Sequence, residues 1–82
     1  MSYTELNTPH SVCSIEEDGH VLELDDGSRW RIYEGFAFRT NTWKGGEMIN
    51  VKLNKNPDYP YTIVNIHKNE QVEAMYLDDD AI

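Results

Sequence analysis

The sequence predicts an all-β domain, a small antiparallel barrel of five to six strands of the SH3-like or OB-like kind. Turn signals recur at short intervals: Asp18-Gly19, Asp25-Asp26-Gly27, Gly45-Gly46 and Asn54-Lys55-Asn56-Pro57. Between them lie short runs rich in Val, Ile, Leu, Trp and Tyr, the pattern of strands joined by hairpins. No window carries a helical period, and Gly or Pro interrupts every longer stretch.

Taken in order, residues 1–10 have no sustained period and are expected to be a flexible segment. Strands are expected over 11–16, 20–24, 28–34, 47–53, 61–66 and 71–77, forming one barrel domain over 11–77. Residues 78–82 carry Asp78-Asp79-Asp80, whose charges repel one another, and are expected to be an acidic tail.

Register follows for the first three strands. An Asp18-Gly19 turn pairs Ile15 with Leu22 and Cys13 with Leu24, four apolar side chains on one face. A two-residue turn at Asp26-Gly27 would pair Leu22 with Arg31 and mix the faces. A three-residue loop, Asp25-Asp26-Gly27 with Gly27 at positive φ, pairs Leu22 with Trp30 and Glu23 with Arg29 instead. The expected inner face is then Cys13, Ile15, Leu22, Leu24, Trp30 and Ile32.

The 82 residues make one domain with no room for a second core. A chain of this size buries only about 60% of the surface its unfolded form exposes, so modest stability is expected. Net charge is −8 and unevenly spread. Residues 1–26 carry seven acids and no Lys or Arg; residues 27–55 carry six bases against two acids; residues 56–82 carry six acids and one base. Such an excess of acid disfavours nonspecific attraction to nucleic acid or anionic membrane. No apolar run reaches the roughly 20 residues that span a bilayer, and residues 1–10 are too polar for a signal peptide. The expectation is a cytoplasmic protein, exported only if a leader has been removed.

The segments Leu24-Asp25-Asp26-Gly27-Ser28-Arg29-Trp30-Arg31-Ile32 and Trp43-Lys44-Gly45-Gly46-Glu47-Met48-Ile49-Asn50-Val51 resemble a group of small bacterial proteins of unassigned function. Members of that group carry a D-G-S-x-W motif and a later W-x-x-G-D/E before an apolar strand. The resemblance covers residues 20–77 and implies an all-β domain; it supplies no catalytic residue.

Chemistry-bearing residues are sparse. The lone Cys13 has no disulfide partner and is expected on the inner face, where a thiol is an inert small hydrophobe. His10, His20 and His67 lack the close spacing of compact metal sites, so no metal and no cofactor are expected. His20 is expected at a hairpin end opposite Glu17. The acidic pairs lack the alternation of a calcium loop and fit solvated turns. No hydrolase or phosphate-loop motif is present.

Gly35-Phe36-Ala37-Phe38 resembles the heart of the RNA-recognition signature, although Glu34, Arg39 and Asn41 occupy positions where that signature has a base, Val and an aromatic. Phe36 and Phe38, flanked by Tyr33 and Trp43, are instead expected to close one end of the barrel. The candidate binding residues are Arg29, Arg31, Tyr33, Phe36, Phe38 and Lys52, a mixed basic and aromatic patch on an acidic body. Its bland counterpart is a solvated sheet face laced by pairs such as Glu23–Arg29, each contributing about 0–1 kcal/mol.

These readings converge on a noncatalytic binding or protein-interaction module whose partner is another protein. The alternative is single-stranded nucleic-acid binding through the central basic and aromatic segment. A third option, on charge alone, is an acidic inhibitor that mimics nucleic acid.

Overall fold

Alternating apolar positions give each strand one side that must leave water, and six such strands satisfy the requirement by closing on themselves. The computed structural model describes residues 3–77. Its strands are β1 (His10–Glu16), β2 (Val21–Leu24), β3 (Arg29–Ile32), β4 (Met48–Asn56), β5 (Tyr59–Asn65) and β6 (Glu70–Leu77), with one α-helical turn, α1 (Ala37–Thr40), and short 3-10 turns at Glu17–Gly19 and Glu34–Phe36. The order around the closed barrel is β1-β2-β3-β6-β5-β4. Two antiparallel meanders, β1-β2-β3 and β4-β5-β6, therefore join at both edges. One seam pairs Ile32 with Ala74; the other pairs His10 with Ile49 and Ser11 with Met48.

The hairpin registers follow the turn chemistry. Ile15 faces Leu22 across the Asp18-Gly19 turn, and Leu22 faces Trp30 while Glu23 faces Arg29 across the Asp25-Asp26-Gly27 loop. Gly27 has φ +84°, the left-handed conformation that the three-residue loop demands. His20 stands at the first hairpin end, with Nδ1 at 2.7 Å from the Glu17 carbonyl oxygen. Leu22, Leu24, Trp30, Ile32, Ile49, Val51, Ile63, Val72 and Ala74 form the buried core, and Ile15 packs at its margin.

Cys13 departs from the expected inner face. A bulge between Val12 and Ser14 makes Val12, not Cys13, the partner of Leu24. One extra residue inverts the alternation, so Val12 is buried and the Cys13 thiol is exposed. The bulge has a structural use. Val12 donates its N–H to the Glu47 carbonyl and accepts from the Gly46 N–H, which docks the Lys44–Glu47 turn against β1.

The N-terminal segment, expected to be flexible, packs against the barrel. Tyr3 is buried, its ring centroid 4.8 Å from Trp30, 5.4 Å from Tyr76 and 6.5 Å from Tyr61. Its N–H donates to the Tyr61 hydroxyl, and Asn7 N–H donates to the Val51 carbonyl. The acidic stretch 78–82 lies outside the described residues.

At the opposite end of β1 and β2, the chain between β3 and β4 folds over the Asp18-Gly19 turn. A Cβ at Gly19 would meet the Ala37 carbonyl oxygen and the Asn41 nitrogen at contact distances no side chain tolerates. Only glycine permits α1 to seat there, and its φ of +92° adds a second reason. Among the described residues no helix is long and apolar enough to cross a membrane.

Candidate functional site

The segment 33–40 carries the most exposed aromatic surface. Glu34–Phe36 is a turn of 3-10 helix that leads into α1, so Phe36 and Phe38 do not lie on a strand as they would in the RNA-recognition signature. The helical turn separates their roles. Phe36 is partly buried against the core margin, whereas Phe38 is 68% exposed, so the two do not close the barrel end together. Tyr33, 42% exposed, lies with its ring 5.8 Å from Phe36 and 5.0 Å from Tyr59. The Arg39 guanidinium stands 5.1 Å from the Phe36 ring centroid and 5.8 Å from that of Phe38. Tyr59, Tyr33, Phe36, Arg39 and Phe38 thus make a continuous row of rings and one cation. Arg39 is fixed at its other edge by donating to the Gln71 carbonyl, 3.0 Å away.

The remaining candidate residues are not gathered to this row. Arg29 and Arg31 project outward from β3, but Arg29 pairs with Glu16 at 2.9 Å, not with the Glu23 opposite it. Lys52 is exposed on β4, facing Thr62, with β5 and β6 between it and Arg31. Three strand spacings separate those two strands, roughly 14 Å along the sheet. The six residues therefore resolve into an aromatic row containing Tyr33, Phe36 and Phe38, and three bases spread around the barrel wall.

The other end of the barrel holds a polar cluster under the N-terminal segment. His10, at the start of β1, is only 6% exposed. Its Nδ1 donates to Asp25 Oδ1 at 2.8 Å, and Asp25 Oδ2 accepts from the Ser11 N–H and hydroxyl, both at 3.1 Å. These bonds, the His10 bond foremost, hold the Asp25 carboxyl below its ordinary value. Asp26 accepts from the Ser28 N–H and hydroxyl on Oδ1 and from the Tyr3 hydroxyl, at 2.6 Å, on Oδ2. Burial raises its carboxyl, but the hydrogen bonds from Ser28 and Tyr3 outweigh burial and leave it below the ordinary value. The Tyr3 phenol is displaced far upward, by burial first and by Asp26 second. Trp30 Nε1–H donates to Ser28 Oγ, so the D-G-S-x-W residues form one hydrogen-bonded corner.

The second motif builds a corresponding corner. Trp43 Nε1–H donates to Glu70, while Glu47 Oε1 accepts from the Lys44 N–H and from Asn65 Nδ2. Lys68 Nζ reaches Glu47 Oε2 at 3.2 Å. Burial raises the Glu47 carboxyl, and the Asn65, Lys44 and Lys68 contacts together bring it below its ordinary value.

The chain matches no family model, no curated protein and no solved structure. Sequence reading missed Arg39 and Tyr59, which one helical turn and one hairpin bring to the row. The signal for Arg39 was its i, i+3 spacing from Phe36, legible only once the segment is read as helical. The His10 cluster was missed because Tyr3, Glu5 and His10 lie in a segment with no period.

Proposed function

We propose that the chain is a noncatalytic binding module that grips a protein partner through the row Tyr59, Tyr33, Phe36, Arg39 and Phe38. The observation that carries this reading is Phe38: a phenylalanine 68% exposed, held beside a pre-positioned arginine and continuous with a half-exposed tyrosine. Burying an aromatic ring contributes the most free energy per side chain at protein interfaces, and Tyr and Arg are the residues enriched in such contacts. Immobilising Arg39 before binding lowers the entropy lost on association.

A protein partner is favoured over single-stranded nucleic acid on charge. Stacking on exposed rings suits bases as well, and that keeps the nucleic-acid reading as the second one. It needs several phosphate contacts too, each adding roughly one unit to the salt slope. Arg39 is the cation in the row, Glu34 follows Tyr33 directly in sequence, and the whole chain carries −8.

A photo-crosslinking phenylalanine analogue at position 38, in cells that express the chain, tests the reading. The expected result is a discrete protein adduct that disappears when Arg39→Ala is added. Fluorescence anisotropy with single-stranded RNA and DNA near physiological salt should show no binding tighter than about 10 µM. Submicromolar, steeply salt-sensitive binding that is lost in Phe38→Ala would replace the protein partner with nucleic acid.

A further inference from the structure

We propose that Glu5, His10 and Asp26 form a binding site for a divalent first-row transition-metal ion of the zinc class. The starting observation is an orphaned atom. His10 Nε2 is buried and has no hydrogen-bond partner among the described residues. Leaving a buried ring nitrogen unpaired is costly, and a native site that tolerates it has a use for the lone pair. The carboxylate of Asp25 can only accept, so Nδ1 carries a proton, and in the neutral ring it is Nε2 that presents the lone pair. A histidine whose far nitrogen donates to a carboxylate is the arrangement that orients metal-ligating imidazoles.

What faces that lone pair is a pair of carboxylate oxygens. Glu5 Oε1 lies 3.5 Å from Nε2 and Asp26 Oδ2 lies 3.8 Å from it. The three ligand atoms all fall within 4.8 Å of one another. Ligands about 2.0–2.2 Å from a tetrahedral ion stand roughly 3.3–3.6 Å apart, so a small contraction brings these atoms to bonding distance. Asp26 is held by Ser28 and Tyr3 and Asp25 holds His10, so two of the three ligands have an outer support. Glu5, exposed on the N-terminal segment, is the third ligand and has no such support among the hydrogen bonds of the described residues. One imidazole and two carboxylates match the donor set of zinc and its neighbours, whereas calcium and magnesium take oxygen throughout. Three protein ligands leave a fourth position for water or an outside donor.

The same contacts would also suit a doubly protonated His10 paired with the two carboxylates, and the experiment separates these alternatives. Untagged, chelator-treated protein carrying Cys13→Ser, which removes the exposed thiol as a competing ligand, is titrated calorimetrically with zinc chloride and separately with calcium chloride. The expected result is one zinc ion per chain, no comparable calcium binding, and tetrahedral absorption when cobalt replaces zinc. Glu5→Gln, at an exposed position that leaves the fold intact, should weaken zinc binding at least about tenfold, and Asp25→Asn should weaken it about 10–100-fold by loosening the carboxylate bond that orients the His10 ring. The nitrogen NMR shift of His10 Nε2 should move on zinc addition. Absence of saturable binding up to about 1 mM zinc, a level at the weak limit of specific association, would overturn the site, as would one-ion binding that Glu5→Gln leaves unchanged.

Discussion

The two tryptophan corners are built alike and neutralised differently. At the β2–β3 loop, Trp30 bonds Ser28, Ser28 bonds Asp26, and Asp26 faces His10 and Glu5. At the turn before β4, Trp43 bonds Glu70, and Glu47 gathers Lys44, Asn65 and Lys68. Each corner uses an indole N–H and an oriented carboxylate to lock a tight loop. The second ends its network on a lysine of its own. The first accumulates Glu5, Asp25 and Asp26 around one imidazole, with no Lys or Arg paired to them among the described residues. A loop can thus be locked with its charge closed or left open, and the open one is the corner proposed to take a metal ion.

The largest test of this pairing concerns packing. Trp30 is fully buried and in ring contact with Tyr3, Tyr61 and Tyr76. Trp30→Ala should cost about 3–5 kcal/mol in urea melts, through lost burial and the cavity left behind. Arg29→Ala, removing a half-exposed pair on the outer wall, should cost under about 1 kcal/mol. Comparable losses would mean that the inner and outer faces of β3 have been exchanged.

The next effect separates closed from open charge. Lys68→Gln should cost about 1–2 kcal/mol, because it leaves the largely buried Glu47 carboxylate short of its cationic partner. Glu5→Gln in metal-free protein should change stability by less than about 0.5 kcal/mol, since it removes a charge from an acidic cluster. Equal losses in the two variants would show that Glu5 is already compensated within the chain, and the contrast between corners would collapse.

Acid should act on both corners in sequence. Asp25, Asp26 and Glu47 all have folded-state carboxyls below their ordinary values. The folded form therefore binds fewer protons than the unfolded form, and the stability these groups supply is complete above the ordinary values. It is lost as pH falls through 4.5 for Glu47 and through 3.8 for the two aspartates, down to their folded values. Melting temperature followed from pH 6 to about pH 3 should fall progressively, and Glu47→Gln should remove the earlier part of the decline. A decline unchanged in Glu47→Gln would place the acid response wholly at the aspartates.

How much was legible in the sequence divides along the same lines. Strand positions, the β2–β3 register and the β1–β2 register next to the turn were legible because period-two alternation and Asp-Gly turns are local signals, whereas the bulge that replaces Cys13 with Val12 opposite Leu24 was not. The outward direction of Arg29 and Arg31 followed from that register. The partner of Arg29 did not, since Glu16 reaches it from two strands away. The row at 33–40 was legible as aromatic composition but not as geometry, because one helical turn is too short to show a period. The His10 cluster draws on the N-terminal segment, the first residue of β1 and a hairpin loop, contacts set by tertiary packing alone.

The smallest expected effect tests the bulge on which the closed corner rests. The Lys44–Glu47 turn hangs from the N–H and C=O of Val12, and those groups are free for it because the ladder with β2 is interrupted there. The same interruption turns Val12 inward and Cys13 outward. Cys13→Ser should therefore shift stability by less than about 0.5 kcal/mol, the range of surface substitutions. The thiol should also react with a maleimide or disulfide reagent in the native state at a rate close to that of the unfolded chain, since Cys13 is exposed. Slow labelling that becomes fast only in denaturant would return Cys13 to the interior. It would also restore an unbroken β1 ladder and leave the Glu47 corner without its anchor, so that the two corners could no longer be counted as built alike.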